Sequence, residues 1–150
     1  MAYIFMKPGV IMQSGHNGNV STRISDGTEV LATIDGDSLR GADIRDKNLQ
    51  FAALAHVDLS NADLTGADLT GADLKGVNLS KAILKNAVLT LADLQDAFLL
   101  DADFENASLV GAKLHRANLS GSLLTATDFT YAKYDEQTIW PDGEFSIPLK

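Results

Sequence analysis

Residues 62–76 read ADLTGADLTGADLKG, which is three consecutive copies of one five-residue pattern. The pattern is alanine, aspartate, leucine and two variable residues, and it extends in both directions. Its leucine position is large and apolar in twenty consecutive copies, sixteen of them leucine, and no insertion breaks the spacing from residue 37 to residue 136. A period of five fits neither the 3.6 residues per turn of an α-helix nor the two-residue alternation of a strand. The chain is therefore built on an internal repeat.

Each copy places its two apolar positions two residues apart, so a short extended segment points both side chains to one side. The smaller position is alanine in fourteen copies and valine in two. The last two residues of each copy predict a turn, because the second of them is glycine six times and Asn or Asp six times. Where that residue is bulky we expect a different turn type. The bulky examples include Phe51, His56, Leu91, Arg116 and Tyr131.

This pattern resembles the pentapeptide-repeat family over about two-thirds of the chain. The resemblance implies an all-β fold, a right-handed quadrilateral β-helix with four pentads per coil. Residues 37–136 would then form about five coils, ~24 Å tall at ~4.8 Å per layer. Successive pentads form faces one to four, beginning with residues 37–41. An interior packed with leucine and alanine leaves no room for a ligand.

Four residues depart from the small inward column: Asp37, Lys47, Ser122 and Thr127. A lysine is not stable unpaired in a dry core, so we expect Lys47 to turn to solvent in a loosened first coil. Ser122 and Thr127 are small enough to be buried if their hydroxyls donate to backbone carbonyls.

The ends of a β-helix expose backbone groups and core side chains, and both need covers. Residues 1–36 precede the repeat and predict an N-terminal β cap, whereas residues 137–150 predict a C-terminal cap or tail. Residues 134–141 resemble the closing segment of many family members, which implies that Trp140 lies across the last coil.

The N-terminal cap is predicted to contain a hairpin, with strands over residues 21–25 and 28–34 and a turn at Asp26-Gly27. Its apolar face would come from Ile4, Phe5, Val10 and Ile11.

The sequence predicts no catalytic, cofactor or metal site. The chain has no cysteine, which excludes disulfides and thiolate metal sites. His16, His56 and His115 are too widely spaced to share a metal, and none pairs with a serine at a spacing that suggests an activated nucleophile. We expect the protein not to be an enzyme and to have no small-molecule substrate.

Charge and hydropathy limit the possible binding partners and the cellular location of the protein. The net charge of −8 argues against direct nucleic-acid binding, which needs a basic face. No apolar run approaches the ~20 residues of a membrane span, and residues 1–12 lack the features of a secretion signal. The expected location is cytoplasmic.

Asp or Asn fills the outward position between the two apolar columns in eleven copies. One interpretation is an acidic strip that imitates DNA. Family members that confer quinolone resistance are thought to bind DNA gyrase in this way, in place of its DNA substrate. The other is that these side chains satisfy backbone groups at the corners. We favour the second, because the repeat has a net charge of −6 whereas ~24 Å of duplex carries on the order of fourteen charges.

Outward apolar side chains form the candidate interaction surface. Face three and its corner carry Phe51, Val88, Leu91, Val110 and Tyr131, and face one carries Phe98 and Leu100. Single apolar residues are normal on surfaces, but a cluster on a flat β face is more often a contact site. The leading hypothesis is a rigid interaction module for a protein partner of unknown identity or for a second copy of the chain. The alternatives are a DNA-mimic inhibitor or protector of gyrase and a spacer with no specific partner.

Overall fold

The computed structural model describes residues 10–14, 20–25, 30–35 and 39–142. From residue 39 onward the backbone is a coil of short segments joined by isolated parallel β-bridges. Fifteen of these bridges join residues that are twenty positions apart, so each coil consists of four five-residue units. The bridged residue is the outward one between the two inward positions. In these ranges no helix is long and apolar enough to cross a membrane.

The interior is formed by the leucine column and the alanine column. Every residue of the leucine column from Leu39 to Leu119 has an exposed fraction of 3% or less. Burial of one such side chain contributes ~1.5–3 kcal/mol, which drives the coil to close around them. Each segment donates backbone hydrogen bonds in both directions along the axis. Leu64 N–H donates to Ile83 O (2.7 Å), and Ile83 N–H donates back to Ala62 O (2.9 Å).

The three departures within the described repeat are accommodated individually. Lys47 is exposed, as predicted, and its turn is loosened: among the inward residues from Ala42 to Ala132, only Lys47 has no N–H bond to the carbonyl three residues earlier, although its own carbonyl stays in the ladder and accepts the Asp68 N–H at 3.0 Å. The Ser122 hydroxyl donates to Leu99 O at 2.6 Å, and the Thr127 hydroxyl donates to a backbone carbonyl at 2.8 Å. Both hydroxyl predictions are confirmed.

All nineteen corner residues from position 41 to position 131 have positive φ, between 54° and 71°. The expectation of another turn type at Phe51, His56, Leu91, Arg116 and Tyr131 is therefore wrong. The cause is the hydrogen-bond ladder, because corner N–H groups donate to the following coil. Phe51 N–H donates to Thr70 O and Gly71 N–H to Thr90 O, both at 2.9 Å. The ladder imposes one conformation on the corners from position 41 to position 111, although it costs a non-glycine residue ~1–2 kcal/mol. At Tyr131, which has no such bond to another described residue, the turn is closed by the Ala132 N–H, which donates to Phe129 O at 2.9 Å.

Corner side chains lean along the helix axis over the corner of the following coil, where glycine leaves room for them. A Cβ atom on Gly71 would lie 2.6 Å from the Phe51 ring, and one on Gly111 would lie 2.8 Å from Leu91. By contrast, a Cβ on Gly41 would meet nothing within 4 Å. The same relation holds for Asp46 over Gly66, His56 over Gly76 and Asp101 over Gly121.

The register slips by one residue at the C-terminal end, where Asn118 bridges Ile139, twenty-one positions later. The Asp135 carboxylate absorbs the slip. Its Oδ1 accepts the Arg116 N–H at 3.0 Å, where one coil earlier the Asp96 N–H donates to a backbone carbonyl. The slip therefore places Trp140 in the leucine position.

Trp140 packs against the end of the core with its ring edge-on to two aromatic neighbours. The ring centroid of Phe129 lies 5.5 Å away and that of Tyr134 lies 5.3 Å away. The predicted placement of Trp140 across the last coil is confirmed.

The N-terminal segment contains an antiparallel sheet of strands β1 (Val10–Ser14), β2 (Val20–Ser25) and β3 (Val30–Asp35), in that order. The β2–β3 pairing agrees with the predicted hairpin, although β3 begins at Val30 and the pairing is irregular between Ile24 and Ser25. Strand β1, which contains Val10 and Ile11, was not predicted. The expected turn at Asp26-Gly27 and the side chains of Ile4 and Phe5 lie outside the described residues.

Replacing Gly71 with alanine is expected to destabilise the protein more than replacing Gly41, by roughly 1 kcal/mol beyond the ~1–2 kcal/mol of positive-φ strain that both share. Among the described residues, the Phe51 side chain covers Gly71 and no side chain covers Gly41. In a Phe51→Ala background the excess loss should disappear. Urea unfolding of the four combinations of Phe51→Ala and Gly71→Ala tests this. Equal losses in both backgrounds would show that the ring does not restrict the corner.

Candidate interaction surface

The twenty-residue register sorts the outward side chains into four faces, each defined by its bridged residues. Face one carries Asp58, Asn78, Phe98, Asn118 and Ile139. Face two carries Asp43, Asp63, Ile83, Asp103 and Leu123. Face three carries Asn48, Asp68, Val88, Ser108 and Asp128. Face four carries Ala53, Asp73, Asp93, Lys113 and Lys133.

The outward Asp and Asn side chains satisfy the corner backbone, as the favoured interpretation predicted. In each of the eleven copies a side-chain oxygen accepts the backbone N–H two residues later, at 2.9 to 3.3 Å. In several copies the following hydroxyl donates to the same oxygen. Thr65 donates to Asp63 and Thr70 to Asp68, both at 2.6 Å. These carboxylates are therefore structural acceptors at the start of each turn.

Hydrogen bonding lowers the pKa of several of these carboxylates. Donation from Ser60, first from its hydroxyl and then from its N–H, lowers the pKa of Asp58, and Thr130 does the same for Asp128. Burial opposes ionisation of Asp68, but hydrogen bonds from Thr70 and a neighbouring glutamine outweigh it and lower the pKa. The Arg45 guanidinium lowers the pKa of Asp43 to about 2.

Ion pairs concentrate on faces two and four among the described residues. On face four, Asp93 lies 3.4 Å from the Lys75 ammonium and 3.3 Å from that of Lys113. At the following corner, the Arg116 guanidinium contacts Asp96 at 2.6 Å. The pairs on face two are Arg45 with Asp43 and Asp63, and Lys85 with Asp103 and Glu105. Bases and apolar residues thus interrupt the acids of both faces.

Three of the predicted surface residues share one corner column after face three. Phe51 and Leu91 are each 63% exposed, and Tyr131 is 83% exposed. Gly71 and Gly111 separate them in the column and lie beneath the Phe51 and Leu91 side chains. We name this column the corner strip, and it consists of Phe51, Gly71, Leu91, Gly111 and Tyr131.

The other four predicted residues do not form one continuous patch with the corner strip. Val88 and Val110 are half-buried on face three, and the hydroxyls of Thr90 and Ser108, 3.3 Å apart, lie on the same two coils of that face. Phe98 is 53% exposed and Leu100 is half-buried, both on face one.

Sequence reasoning missed three exposed apolar side chains, Ile83, Leu123 and Ile139. The repeat register identifies Ile83 and Leu123 as outward, whereas Ile139 becomes outward only through the slip at Asp135. The described residues hold no group of His, Cys, Asp or Glu that could bind a metal. An open depression of about 410 Å³ lies at the corner between faces four and one, lined by His56, Gly76, Asn78, Ser80 and Phe98.

The family described as Pentapeptide repeats matches this chain in eight copies, over residues 38–71, 47–86, 72–109, 87–125 and 107–133. The chain belongs to the pentapeptide repeat family. Known structures of this family are right-handed β-helices, and its members are generally non-catalytic structural or interaction proteins. No curated protein is similar enough to this chain to count as a match.

Among solved pentapeptide repeat structures, this chain is similar to HetL from Nostoc sp. strain PCC 7120, a protein involved in heterocyst differentiation regulation. The two are 33% identical with a TM-score of 0.66, over 73% of this chain and 51% of HetL. The chain therefore spans about half the length of HetL. It is also 35% identical to alr5209 from Nostoc PCC 7120, with a TM-score of 0.55, over 59% of this chain and 77% of that one.

A third similar structure is full-length QnrB1, a plasmid-mediated fluoroquinolone resistance protein. It is 22% identical, with a TM-score of 0.32, over 66% of this chain and 61% of QnrB1. A likeness this low carries no argument about function.

Acid should destabilise the protein through its outward carboxylates. Five of them, Asp43, Asp58, Asp68, Asp93 and Asp128, have lowered folded pKa values. The stability that these five add is fully present above the unfolded value of ~3.9 and is lost as pH falls through the folded values. The melting temperature should therefore be nearly constant from about pH 7 to pH 5 and fall below about pH 4. A variant with Asp58→Asn, Asp68→Asn and Asp128→Asn keeps the acceptor oxygens, as native Asn78 and Asn118 do. Its melting temperature should fall less; an identical fall in both proteins would contradict this assignment.

Proposed function

We propose that the protein is a non-catalytic interaction module, a rigid right-handed β-helix of about five coils that presents the corner strip to a partner protein. The observation that carries this proposal is the corner strip itself, in which three bulky apolar side chains occupy positive-φ positions while most of their surface faces solvent.

Neither backbone preference nor burial accounts for these residues. Asn and Asp occupy several other corners and tolerate this conformation better than phenylalanine or leucine. Burial contributes little stability, because Phe51 and Leu91 each lean over a glycine but remain mostly exposed. Arg116 has an evident local partner at its own corner, since its guanidinium binds Asp96. Strained, exposed residues aligned in one column are the kind of feature that binding surfaces retain.

The remaining candidate residues extend the same proposal. Val88 and Val110 would border the contact on face three, while Phe98 and Leu100 would belong to a second contact on face one. The domain organisation proposed with it is an N-terminal β cap over residues 1–36, the β-helix over 37–136 and a C-terminal cap or tail over 137–150, in a cytoplasmic protein.

Changing Phe51, Leu91 and Tyr131 together to asparagine should abolish partner binding and leave the fold intact. Asparagine suits positive φ, so the melting temperature should be unchanged or higher. The matched control is Ile83→Asn with Leu123→Asn, which replaces exposed apolar residues on face two. Cross-linking followed by quantitative mass spectrometry, with light scattering for self-association, compares the three proteins.

A partner or a second copy should be cross-linked to the wild type and to the control but not to the triple variant. If the triple variant is cross-linked as extensively as the control, the corner strip is not the binding surface.

The second candidate function, gyrase inhibition or protection by DNA mimicry, is not favoured by a specific observation. The outward carboxylates bind the corner backbone, and the acids of faces two and four are interrupted by bases. Purified protein at low micromolar concentration should therefore leave supercoiling by DNA gyrase unchanged. A dose-dependent loss of supercoiling would reverse the order of the two functions.

A further inference from the structure

Face four has an ordered charge pattern along the helix axis. Its bridged column contains Ala53 and then two acids followed by two bases: Asp73, Asp93, Lys113 and Lys133. In the corner column that follows, Asp96 precedes Arg116 by one coil. In both columns the sign of the charge reverses between the level of Asp93 and the level of Lys113.

A face with this pattern is complementary to itself. Two copies can pack face to face with their helix axes antiparallel. The two-fold axis that relates them then lies in the interface and is perpendicular to the helix axes. Each column of one copy therefore faces the same column of the other copy in reverse order. With the axis between Asp93 and Lys113, Asp73 meets Lys133 of the second copy, and Asp93 meets its Lys113. In the corner column Asp96 meets Arg116 of the second copy.

We propose that face four is a self-association surface on which a second copy of the chain docks antiparallel, with the two-fold axis between the levels of Asp93 and Lys113. The occupant is identified by charge complementarity in the bridged column and the corner column at a single position of the axis. This inference goes beyond the proposed function, because the charges of face four carry it; the corner strip lies only at the border of the dimer, and the partner of the corner strip is not needed.

Two of the charged residues are available for contacts between copies. Asp73 and Lys133 are exposed, and neither forms an ion pair with another described residue. By contrast, Asp93 is already paired with Lys75 and Lys113, so a second copy adds less there. The pair formed by Asp73 and Lys133 therefore determines the orientation of the dimer.

The edge of face four also fits the arrangement. The corner strip borders this face, and the same two-fold axis sets Leu91 opposite Gly111 of the second copy and Tyr131 opposite its Gly71. A large side chain then faces a glycine in both cases. On face three the same axis would set Asp68 opposite Asp128, which is repulsive. Face four is thus the better surface for this pairing.

The size of the face makes the dimer weak. A face about 10 Å wide and ~24 Å tall gives roughly 240 Å² per copy, below the ~800 Å² of a standard stable interface. Much of the attraction is between exposed charges, which salt screens. The dimer should therefore form at high protein concentration and low ionic strength and dissociate as salt is added.

Charge reversal at the two unpaired positions tests the proposal by sedimentation equilibrium at about 50 mM and about 500 mM salt. The wild type should dimerise at low salt, and Asp73→Lys and Lys133→Asp should each weaken dimerisation at least tenfold. Mixing the two single variants should restore it, because every pair in the mixed dimer is again opposite in charge. The double variant Asp73→Lys with Lys133→Asp should dimerise like the wild type.

Matched melting temperatures would show that the four proteins remain folded. A wild type that stays monomeric at low salt, or single variants that dimerise as well as the wild type, would overturn the inference. Because these variants leave the corner strip unchanged, loss of the dimer with retained partner binding would leave the proposed function standing.

The two single variants also test the orientation. In a parallel dimer the two-fold axis runs along the helix axes, and each residue of face four lies at the height of its own copy. Asp73 and Lys133 of different copies would then be three coils apart. Reversing either charge would replace one pair of like charges with another, so each single variant would dimerise as well as the wild type. That result would contradict the antiparallel arrangement.

Discussion

The backbone ladder between successive coils is the constraint on which the rest of the structure depends. Each outward bridged residue donates to the coil before it, and each leucine-position residue donates to the coil after it, so moving one segment breaks bonds on two sides. The ladder explains why Phe51 and Gly71 share a corner conformation and why Lys47 keeps its backbone position while its side chain turns to solvent. Side chains adapt to the coil, and the coil does not adapt to them.

The sequence predicted the features that depend on inward side chains. The leucine and alanine columns predicted the interior correctly, and the chemistry of a dry core correctly assigned Ser122 and Thr127. Trp140 was placed by the resemblance of residues 134–141 to the closing segment of family members. Composition favoured the structural role of the outward carboxylates, which their hydrogen bonds to the corner backbone confirm. These predictions succeeded because burial and hydrogen bonding act on each residue through its position in the repeat alone.

Predictions failed where the outcome depends on cooperation between coils. Residue preference argued against positive φ at Phe51 and Leu91, but a ladder bond to the following coil outweighs a cost of ~1–2 kcal/mol. The slip of one residue could not be read from spacing, because the Asp135 carboxylate stands in for a backbone carbonyl. The candidate surface was only partly located for a similar reason. Whether Val88 or Leu91 is exposed depends on what lies one coil away.

Because the backbone fixes the register, the order of surface residues in the sequence also determines their positions in space. Outward side chains twenty residues apart stand ~4.8 Å apart along the axis, so a column of Asp73, Asp93, Lys113 and Lys133 forms a row of charges at set heights. Exchanging such residues changes what a face can bind while the interior stays the same, and binding properties can diverge faster than the fold. Membership of the pentapeptide repeat family therefore specifies the scaffold, whereas the partner must be read from the columns of each chain. In this chain two surface features differ from a uniformly solvated face. One is the apolar corner strip, and the other is face four, where the sign of the charges reverses halfway along the helix axis.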